Sequence, residues 1–298
     1  RQILPQIDIH LSTQANTTNV SAARFWHELG IKRVNLAREL SLEEIRTFTQ
    51  QAPLETEVFI HGAMCISYSG RCLMSSFLSG RDSNRGLCSH PCRWRYSVVE
   101  ELRPNEFHPV LEDQHGTYIF NSKDLCMIEH IPDLIRAGIT SLKIEGRMKG
   151  INYLASVVKT YREAIDAFVK SPETYTVNPA WLEELFHVFH RDYCTGFFFN
   201  DPEEQRSNER NIHHGKIHSF IGKVLTVETP GQYRIGIRNT LHKTDTVEVV
   251  SPGRPPAASA VSGLWDETGS PMDSAHPNTV AVVKLEIPCQ PNDIVRKR

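Results

Sequence analysis

The first 170 residues alternate between short apolar runs, typical of strands, and amphipathic stretches, typical of helices. The predicted strands are 6–13, 33–37, 57–60, 117–120 and 141–145. The predicted helices are 21–29, a helix that begins with a capping box of Ser41 and Glu44, 131–137 and 149–170. Strands that alternate with helices indicate parallel strands joined by helical crossovers, and therefore an α/β fold.

The pattern changes after residue 175. One more helix is predicted at 181–190, and from residue 215 short strands alternate with turn residues, which predicts a small antiparallel barrel or sandwich. The stretch 252–273, rich in Pro, Ser, Gly and Ala, is predicted to be a loop within it. We expect three segments: part of a β/α barrel at 1–175, a helical linker at 176–214 and an all-β barrel domain at 215–298.

The predicted barrel is incomplete. A complete eight-unit barrel takes about 250 residues, whereas five strand units are visible here and the chain opens on Arg1 instead of Met. We therefore expect a truncated TIM-like barrel that lacks its N-terminal half. No run of apolar residues approaches the roughly 18 that a membrane span needs, and nothing resembles a secretion signal, so we expect a cytoplasmic protein without a membrane partner.

Net charge and cysteine content reduce the number of possible function classes. A formal net charge of −2 excludes a general attraction to nucleic acid but leaves room for a local basic patch. An odd count of 7 cysteines disfavours a disulfide framework and favours thiolates that bind something. Cys126 is a candidate ligand, whereas Cys194 and Cys289 are interpreted as packing residues.

The other four cysteines lie in one window rich in glycine, serine and arginine: Cys65, Cys72, Cys88 and Cys92. Thiolates bind zinc or iron–sulfur clusters, and zinc sites usually use cysteines two to four residues apart. Only Cys88 and Cys92 have that spacing. The wider gap between Cys65 and Cys72 better suits a bulky cluster held between loops. Burial of several thiols as apolar residues is the alternative, because free cysteine is often buried.

Arginines and aromatic residues surround these cysteines. The arginines are Arg71, Arg81, Arg85, Arg93 and Arg95, and the aromatic residues are Trp94 and Tyr96. Arginines can offset thiolate charge or bind phosphates in a bidentate way, and aromatic rings suit base stacking. We therefore expect Arg93 and Trp94 to contact a substrate base.

Polar residues follow the predicted strands, where parallel barrels carry their reacting groups. They are Ser12, Gln14, Asn16, Arg38, Glu39, His61, Asn121, Ser122, Glu145 and Arg147. We predict His61 and Glu145 as catalytic residues, and Gln14, Arg38 and Arg147 as binding residues for an acidic metabolite. The alternatives are helix caps for the serines and asparagines, structural ion pairs for the charged residues and a core role for the histidine.

Several runs resemble the collagenase-like peptidase family U32. They are EVFIHGAMC at 57–65, SGRCLMS at 69–75, NRGLC at 84–88, CRW at 92–94, NSKDL at 121–125 and SLKIEGR at 141–147. Within that family the chain is most similar to the branch that hydroxylates the wobble uridine of bacterial tRNA, and a sister branch acts on a ribosomal RNA cytidine. The resemblance implies a 4Fe–4S cluster on Cys65, Cys72, Cys88 and a fourth cysteine, for which Cys92 fits the tRNA branch better than Cys126. It also implies prephenate as a required metabolite and a barrel followed by a small β domain.

Two other functions stay open at this point. Proteolysis lacks an HExxH or GxSxG motif, although His90 between two cysteines could serve a cysteine protease. An RNA-binding module with structural zinc is the third hypothesis. In the β domain four basic residues, Lys223, Arg234, Arg238 and Lys243, either dock the body of a tRNA or form a solvated charged face.

Overall fold

A computed structural model describes residues 3–65, 67–94, 97–100, 103–109, 123–199 and 218–297, with the backbone alone at 93, 97–100 and 103–109. The predicted strand at 117–120 and the predicted rim residues Asn121 and Ser122 lie outside these ranges. The chain forms two compact units. The first unit comprises Arg1–Glu145 and His190–His213, and the second comprises Gly146–Phe189 and His214–Arg298. Among the described helices, none has the length and apolar character to cross a membrane.

The first unit is a mixed α/β unit. Its strands are β1 (His10–Leu11), β2 (Arg33–Asn35), β3 (Glu55–Ala63), β4 (Ser97–Glu100), β5 (Arg103–Pro109), β6 (Asp124–Cys126), β7 (Ser141–Ile144) and β8 (Tyr193–Cys194). Its helices are α1 (Val20–Glu28), α2 (Leu42–Gln51), α3 (Met74–Ser79) and α4 (Ile131–Arg136). The sheet runs β1-β2-β3-β6-β8, β7 also pairs with β3, and β4 and β5 form a separate antiparallel pair.

Parallel pairing is confirmed for β1 with β2, β2 with β3 and β3 with β7. One pair departs from the prediction, because β6 is antiparallel to β3. The long β3 makes both pairings: its first part lies beside β7, and its last three residues, His61 to Ala63, lie beside β6. The sheet is therefore largely, but not entirely, parallel.

The first predicted strand is much shorter than expected, since only His10 and Leu11 pair. Ser12 then accepts a hydrogen bond from the backbone N–H of Gln14 and starts a short 3-10 helix, which ends at Asn16 in the left-handed conformation. These local hydrogen bonds compete with the strand, as serine and asparagine side chains commonly do. The chain consequently leaves the sheet early and turns toward the cysteine segment.

Helix α2 confirms the predicted capping box. The Ser41 hydroxyl accepts from the N–H of Glu44 at 3.3 Å, and the Glu44 carboxylate accepts from the N–H of Ser41 at 2.8 Å. Reciprocal bonds of this kind satisfy two backbone donors that a helix start leaves unpaired. Leu42, Ile45 and Phe48 repeat at helical spacing and are all buried, so this helix covers one face of the sheet.

The second unit combines two helices with an antiparallel sheet. The helices are α5 (Ile151–Lys170) and α6 (Pro179–Phe186). The strands are β9 (Ser219–Thr229), β10 (Gln232–Ile237), β11 (Leu241–His242), β12 (Thr246–Val250), β13 (Ala257–Ala260), β14 (Gly263–Trp265), β15 (Ser274–Ala275), β16 (Val280–Lys284) and β17 (Ile294–Lys297). Seven of them form one curled sheet in the order β13-β12-β17-β9-β10-β16-β14.

The stretch 252–273 was expected to be a loop, and that expectation is wrong in part. It contains β13 and β14, which lie at the two ends of the sheet order. Strand β13 has the sequence AASA, and three of its four residues are exposed. Edge strands with small exposed residues carry little of the alternating apolar pattern that identifies a strand from sequence.

A buried charge network holds the second unit together. Arg296 on β17 is 1% exposed and donates to both carboxylate oxygens of Glu184 on α6, at 2.6 and 2.7 Å. It also donates to Glu248 on β12 at 2.7 Å and to the Ser156 hydroxyl on α5 at 3.1 Å. Burial alone would raise the pKa of the Glu184 carboxyl, but the hydrogen bonds and charge of Arg296 outweigh it and lower that pKa. One guanidinium thus joins two strands and two helices.

Candidate cysteine site and its surroundings

The candidate site lies beyond the carboxyl ends of parallel strands. Gln14 follows β1, Arg38 and Glu39 follow β2, and Cys65 follows β3 directly. Because parallel strands end at the same edge of a sheet, these residues approach one another although they are far apart in sequence. These four residues therefore lie at the same edge of the sheet.

Two of these residues hold the cysteine segment in place. The Glu39 carboxylate accepts hydrogen bonds from both the backbone N–H and the hydroxyl of Ser69, the latter at 3.0 Å. The Gln14 amide donates to the carbonyl of Ser83 at 3.2 Å. Gly70 has a φ of 74°, and a β carbon there would lie 2.1 Å from the Gln14 carbonyl oxygen. Gln14 and Glu39 therefore fix the position of the segment that carries the thiols.

Cys72 is buried and surrounded by hydrogen-bond donors. Its backbone N–H donates to the Asn84 side chain at 3.0 Å, and the Asn84 amide donates back to its carbonyl at 2.8 Å. Burial raises the pKa of the Cys72 thiol, but donors from Ser83, Ser67 and the backbone at Met74 and Ser75 outweigh it and lower that pKa. The Ser83 hydroxyl also reaches the Cys72 carbonyl at 3.1 Å, and its one proton serves one acceptor at a time. The site therefore stabilises a thiolate at this position.

Cys72 and Cys88 lie close to Cys65. Burial raises the pKa of the Cys65 thiol; the N–H of Ser67 and the charge of Arg38 lower it, and the neighbouring thiols of Cys72 and Cys88 raise it again. The sulfur of Cys88 accepts a hydrogen bond from the N–H of His90 at 3.3 Å. Cys65 is thus near enough to both Cys72 and Cys88 for their charges to act on it.

The two candidates for a fourth ligand lie on different elements. Cys92 is in the 3-10 helix Pro91–Arg93, against which α3 packs, and it is half-buried. Cys126 is the last residue of β6, where it pairs in register with His61, and it is also half-buried. Both positions stay candidates, and they differ in that Cys92 shares the segment of the other three cysteines.

The cysteine thiols can be compared with the ligand geometry that a zinc ion or an iron–sulfur cluster requires. Ligands of one tetrahedral zinc ion lie about 2.3 Å from it and hence about 3.8 Å from one another. Among the described residues no three His, Cys, Asp or Glu side chains form a group that could hold a single ion. In a four-iron cluster each thiolate binds a different iron, so its sulfurs lie further apart. Thiolates bind both zinc and iron–sulfur clusters, so the donor chemistry of this segment fits either group.

The predicted catalytic residues are adjacent through their backbones. The N–H of Glu145 donates to the carbonyl of His61 at 2.8 Å, and Gly62, with a φ of 99°, leaves no room for a β carbon against Glu145. The imidazole of His61 is 1% exposed and lies 5.4 Å from the ring of Tyr193, which stacks on His190 at 4.3 Å. The buried His61 therefore lies beside a stacked pair of rings, Tyr193 and His190, that sequence reasoning missed.

The remaining predicted binding residues differ in their surroundings. The guanidinium of Arg38 is half-buried, 4.1 Å above the Phe59 ring, and its charge acts on Cys65. Trp94 is 48% exposed, and the side chain of Arg93 lies outside the described residues. Arg147 is exposed and belongs to the second unit.

The basic residues of the β domain are largely engaged within it. Arg234 pairs with Glu228 at 3.5 Å and with Glu267 at 2.5 Å. Lys223 donates to Asn292 at 3.1 Å, and Arg238 donates to Asn278 at 3.0 Å. For Arg234 these contacts favour a charged surface residue over a residue that docks tRNA, because two carboxylates balance its charge.

The chain belongs to peptidase family U32. The model of that family matches residues 1–208, and the model of the peptidase family U32 C-terminal domain matches residues 216–296. The resemblance noted from the short sequence runs is thereby confirmed over nearly the whole chain.

Three relatives show what the chain is similar to. A Bacillus subtilis protein named tRNA hydroxylation protein P1 is 41% identical, over 100% of this chain and 71% of that protein. An Escherichia coli protein named tRNA hydroxylation protein P is 36% identical, over 85% of this chain and 64% of that protein. A Methanocaldococcus jannaschii protein named as an uncharacterized protease is 38% identical, over 78% of this chain and 60% of that protein. The chain therefore spans about two thirds of the length of these relatives.

Proposed function

We propose that this protein is an RNA-modifying enzyme that hydroxylates the wobble uridine of tRNA at C5, with a 4Fe–4S cluster and prephenate as a required metabolite. The observation that carries the proposal is the concentration of four cysteines in one arginine-rich segment, with Cys72 and Cys88 near Cys65. The names of the relatives from Bacillus subtilis and Escherichia coli support the choice of substrate. A tRNA substrate would place the protein in the cytoplasm.

The proposed architecture is part of a TIM-like β/α barrel followed by the β domain. Support comes from the parallel pairing of β1, β2, β3 and β7 and from the position of the thiols beyond their carboxyl ends. In such barrels the reacting groups lie at that end. The barrel mouth would then expose the cluster to the substrate.

Four thiolates would hold the cluster: Cys65, Cys72, Cys88 and Cys92, with Cys126 as the alternative to the last. When bound, the cluster supplies one-electron transfer. The protein contributes the hydrogen bonds that stabilise the Cys72 thiolate and the positive charge of Arg38 beside Cys65. Glu39 and Gln14 fix the segment, so the thiols are held in position before the cluster binds.

The metabolite would bind beside Arg38. Prephenate carries two carboxylates, and a guanidinium binds a carboxylate through two parallel hydrogen bonds. Arg38 is half-buried and lies near Cys65, which suits this role better than Gln14, whose amide is engaged with Ser83. His61 and Glu145 are proposed to act on protons at the uracil, and Arg93 and Trp94 to contact the RNA.

The reaction replaces a C5–H bond of uracil with a C5–OH bond. This is a two-electron oxidation, so each turnover must consume an oxygen-atom donor or a two-electron acceptor together with water. The side chains named above would orient the base, exclude bulk water and move protons. A redox partner protein would be needed to return the cluster to its starting oxidation state if the two electrons leave through it.

The proposal is tested by nucleoside mass analysis of tRNA. Cells that lack the gene should lose 5-hydroxyuridine and its derivatives at the wobble position, and the wild-type gene should restore them. Cys72→Ala should not restore them, whereas Cys194→Ala, at a buried cysteine outside the window, should. Unchanged wobble nucleosides in the deletion strain would contradict the proposal.

The same strains and the purified protein distinguish the alternative functions. Loss of a hydroxylated ribosomal cytidine with intact wobble uridine would indicate the sister RNA substrate. Cleavage of gelatin by the purified protein, abolished in Cys88→Ala, would indicate a peptidase. A colourless protein with one zinc ion would indicate the RNA-binding module.

A further inference from the structure

Two exposed aromatic residues lie in the cysteine segment, and sequence reasoning assigned them no role. We infer that Tyr68 and Phe77, together with nearby arginines, form a stacking surface for the bases of single-stranded RNA beside the thiols. The identity of that RNA as a tRNA anticodon loop rests on the proposed function. The stacking surface itself rests on exposure, local geometry and charge.

The exposure of these rings is unusually high for aromatic side chains. Phe77 is 89% exposed and Tyr68 is 71% exposed. Leu73 and Leu87, each next to a cysteine, are 74% and 46% exposed. Contiguous exposed patches of apolar side chains mark interaction sites on proteins. Two of these exposed side chains thus adjoin Cys72 and Cys88 in the sequence.

The backbone beneath both rings is fixed. In α3, the hydroxyls of Ser75 and Ser79 both lie within hydrogen-bond distance of the Ser89 hydroxyl, at 3.1 and 2.6 Å. These bonds hold one side of the helix against the segment that contains Ser89. Phe77 lies on another side of the helix. Tyr68 precedes Ser69, which is anchored on the Glu39 carboxylate. The two rings therefore stand on anchored segments, which lowers the entropy cost of binding.

The charge around the rings favours RNA as the occupant. Arg71, Arg81 and Arg85 are exposed, and in the part of the chain that the structure describes no ion pair is found for them. The one acidic residue among them, Asp82, accepts a hydrogen bond from the N–H of Asn84 at 2.9 Å. Aromatic rings interleaved with cationic side chains are typical of proteins that bind single-stranded nucleic acid. A purely apolar protein partner would gain nothing from these three charges.

The test measures RNA binding without any need for catalysis. The RNA is a tRNA anticodon stem-loop with 2-aminopurine in the loop, and the same stem as a blunt duplex is the comparison. Binding to the wild-type protein should quench the 2-aminopurine fluorescence, because the fluorophore stacks. Tyr68→Ala and Phe77→Ala should each weaken binding to the stem-loop about tenfold and reduce the quench. Binding to the duplex should change little.

Conservative variants separate stacking from a general apolar contact. Tyr68→Trp should keep the affinity and the quench, whereas Tyr68→Leu should lose both. Phe25→Ala removes a ring that is 53% exposed on α1 and serves as the matched control, with no expected change. Both target rings are exposed, so these substitutions should leave folding intact. Equal binding by Tyr68→Leu and the wild type, or by the double alanine variant and the wild type, would overturn the inference.

The result can be separated from that of the proposed function. If the deletion strain lacks wobble 5-hydroxyuridine but the double alanine variant binds RNA as the wild type does, the stacking surface is wrong and the function stands. If stacking is confirmed while wobble nucleosides are unchanged, the protein binds single-stranded RNA through this surface and the proposed reaction is wrong.

Discussion

Gly70 lies against the backbone of Gln14 so closely that a β carbon on it would be 2.1 Å from the Gln14 carbonyl oxygen. Its φ of 74° places it in the left-handed region, which other residues adopt at a cost. This contact fixes the cysteine segment against the turn that follows β1. The position of the thiols therefore depends on residues that are far from them in sequence.

Gly70→Ala should disturb both stability and the cysteine site. We expect a loss of at least about 3 kcal/mol in the free energy of unfolding, because backbone strain adds to the steric clash. Urea unfolding measures this loss. Gly80→Ala is the matched control, since Gly80 has a φ of 65° but nothing within 4 Å of the added carbon. Its cost should be about 1 kcal/mol, and equal losses in the two variants would contradict the proposed contact.

Glu39→Gln should loosen the cysteine segment without removing a thiol. The carboxylate accepts two hydrogen bonds from Ser69, and a neutral amide accepts them more weakly. We expect a loss of about 1–2 kcal/mol in unfolding free energy and a lower iron content after purification. Glu43→Gln, at an exposed position on α2, should change neither quantity. A Glu39 variant with wild-type stability and iron content would show that this anchor is unimportant.

Arg296→Met should strongly destabilise the second unit. It leaves the buried carboxylates of Glu184 and Glu248 without their partner, and breaking a buried pair from one side costs about 3–5 kcal/mol. Urea unfolding should show this loss. Arg162→Met removes an exposed pair with Asp166 and should cost under about 0.5 kcal/mol.

Neutralising both carboxylates should rescue part of that loss. The triple variant Arg296→Met, Glu184→Gln and Glu248→Gln buries no unpaired charge, so it should be more stable than Arg296→Met alone. If the triple variant is less stable than the single one, unpaired charge is not the main cause of the loss.

His218 should make stability depend on pH in the acidic range. It is 4% exposed, and burial together with the charge of Arg296 and the neighbouring His187 lowers its pKa from 6.5 to about 4, although Glu248 and Glu184 act in the opposite direction. Between these two values the unfolded chain binds a proton that the folded chain does not. Lowering the pH through this window therefore destabilises the fold, by about 3 kcal/mol at most.

Urea unfolding between pH 7 and pH 4 measures this dependence. The slope of unfolding free energy against pH should be smaller in His218→Gln than in the wild type, because the variant lacks the titrating group. His276→Gln, at an exposed position of the same unit, should keep the wild-type slope. Identical slopes in the wild type and His218→Gln would contradict the lowered pKa.

Features with a local signal could be predicted from the sequence. The capping box of α2 and the helix predicted at 149–170 follow from spacing within one helix, and the structure confirms both. The four cysteines stood out because they are concentrated in one polar window. Local patterns of this kind depend on neighbours a few residues away, which a sequence displays directly.

Features that depend on distant contacts could not be predicted. The antiparallel pairing of β6 with β3 and the contact between Gly70 and Gln14 join residues that are dozens of positions apart. The edge strand β13 carries no alternating apolar pattern. The two compact units are discontinuous in sequence, so a change of composition along the chain does not reveal them.

The clustered thiols are proposed to hold an iron–sulfur cluster. The most direct test is an assay of iron and acid-labile sulfide in protein purified without oxygen, together with its absorption near 400 nm. We predict about four iron and four sulfide per chain, lost in Cys65→Ala, Cys72→Ala and Cys88→Ala but kept in Cys194→Ala. Loss in either Cys92→Ala or Cys126→Ala would identify the fourth ligand. Wild-type protein that contains no iron and no sulfide after such a purification would contradict the account.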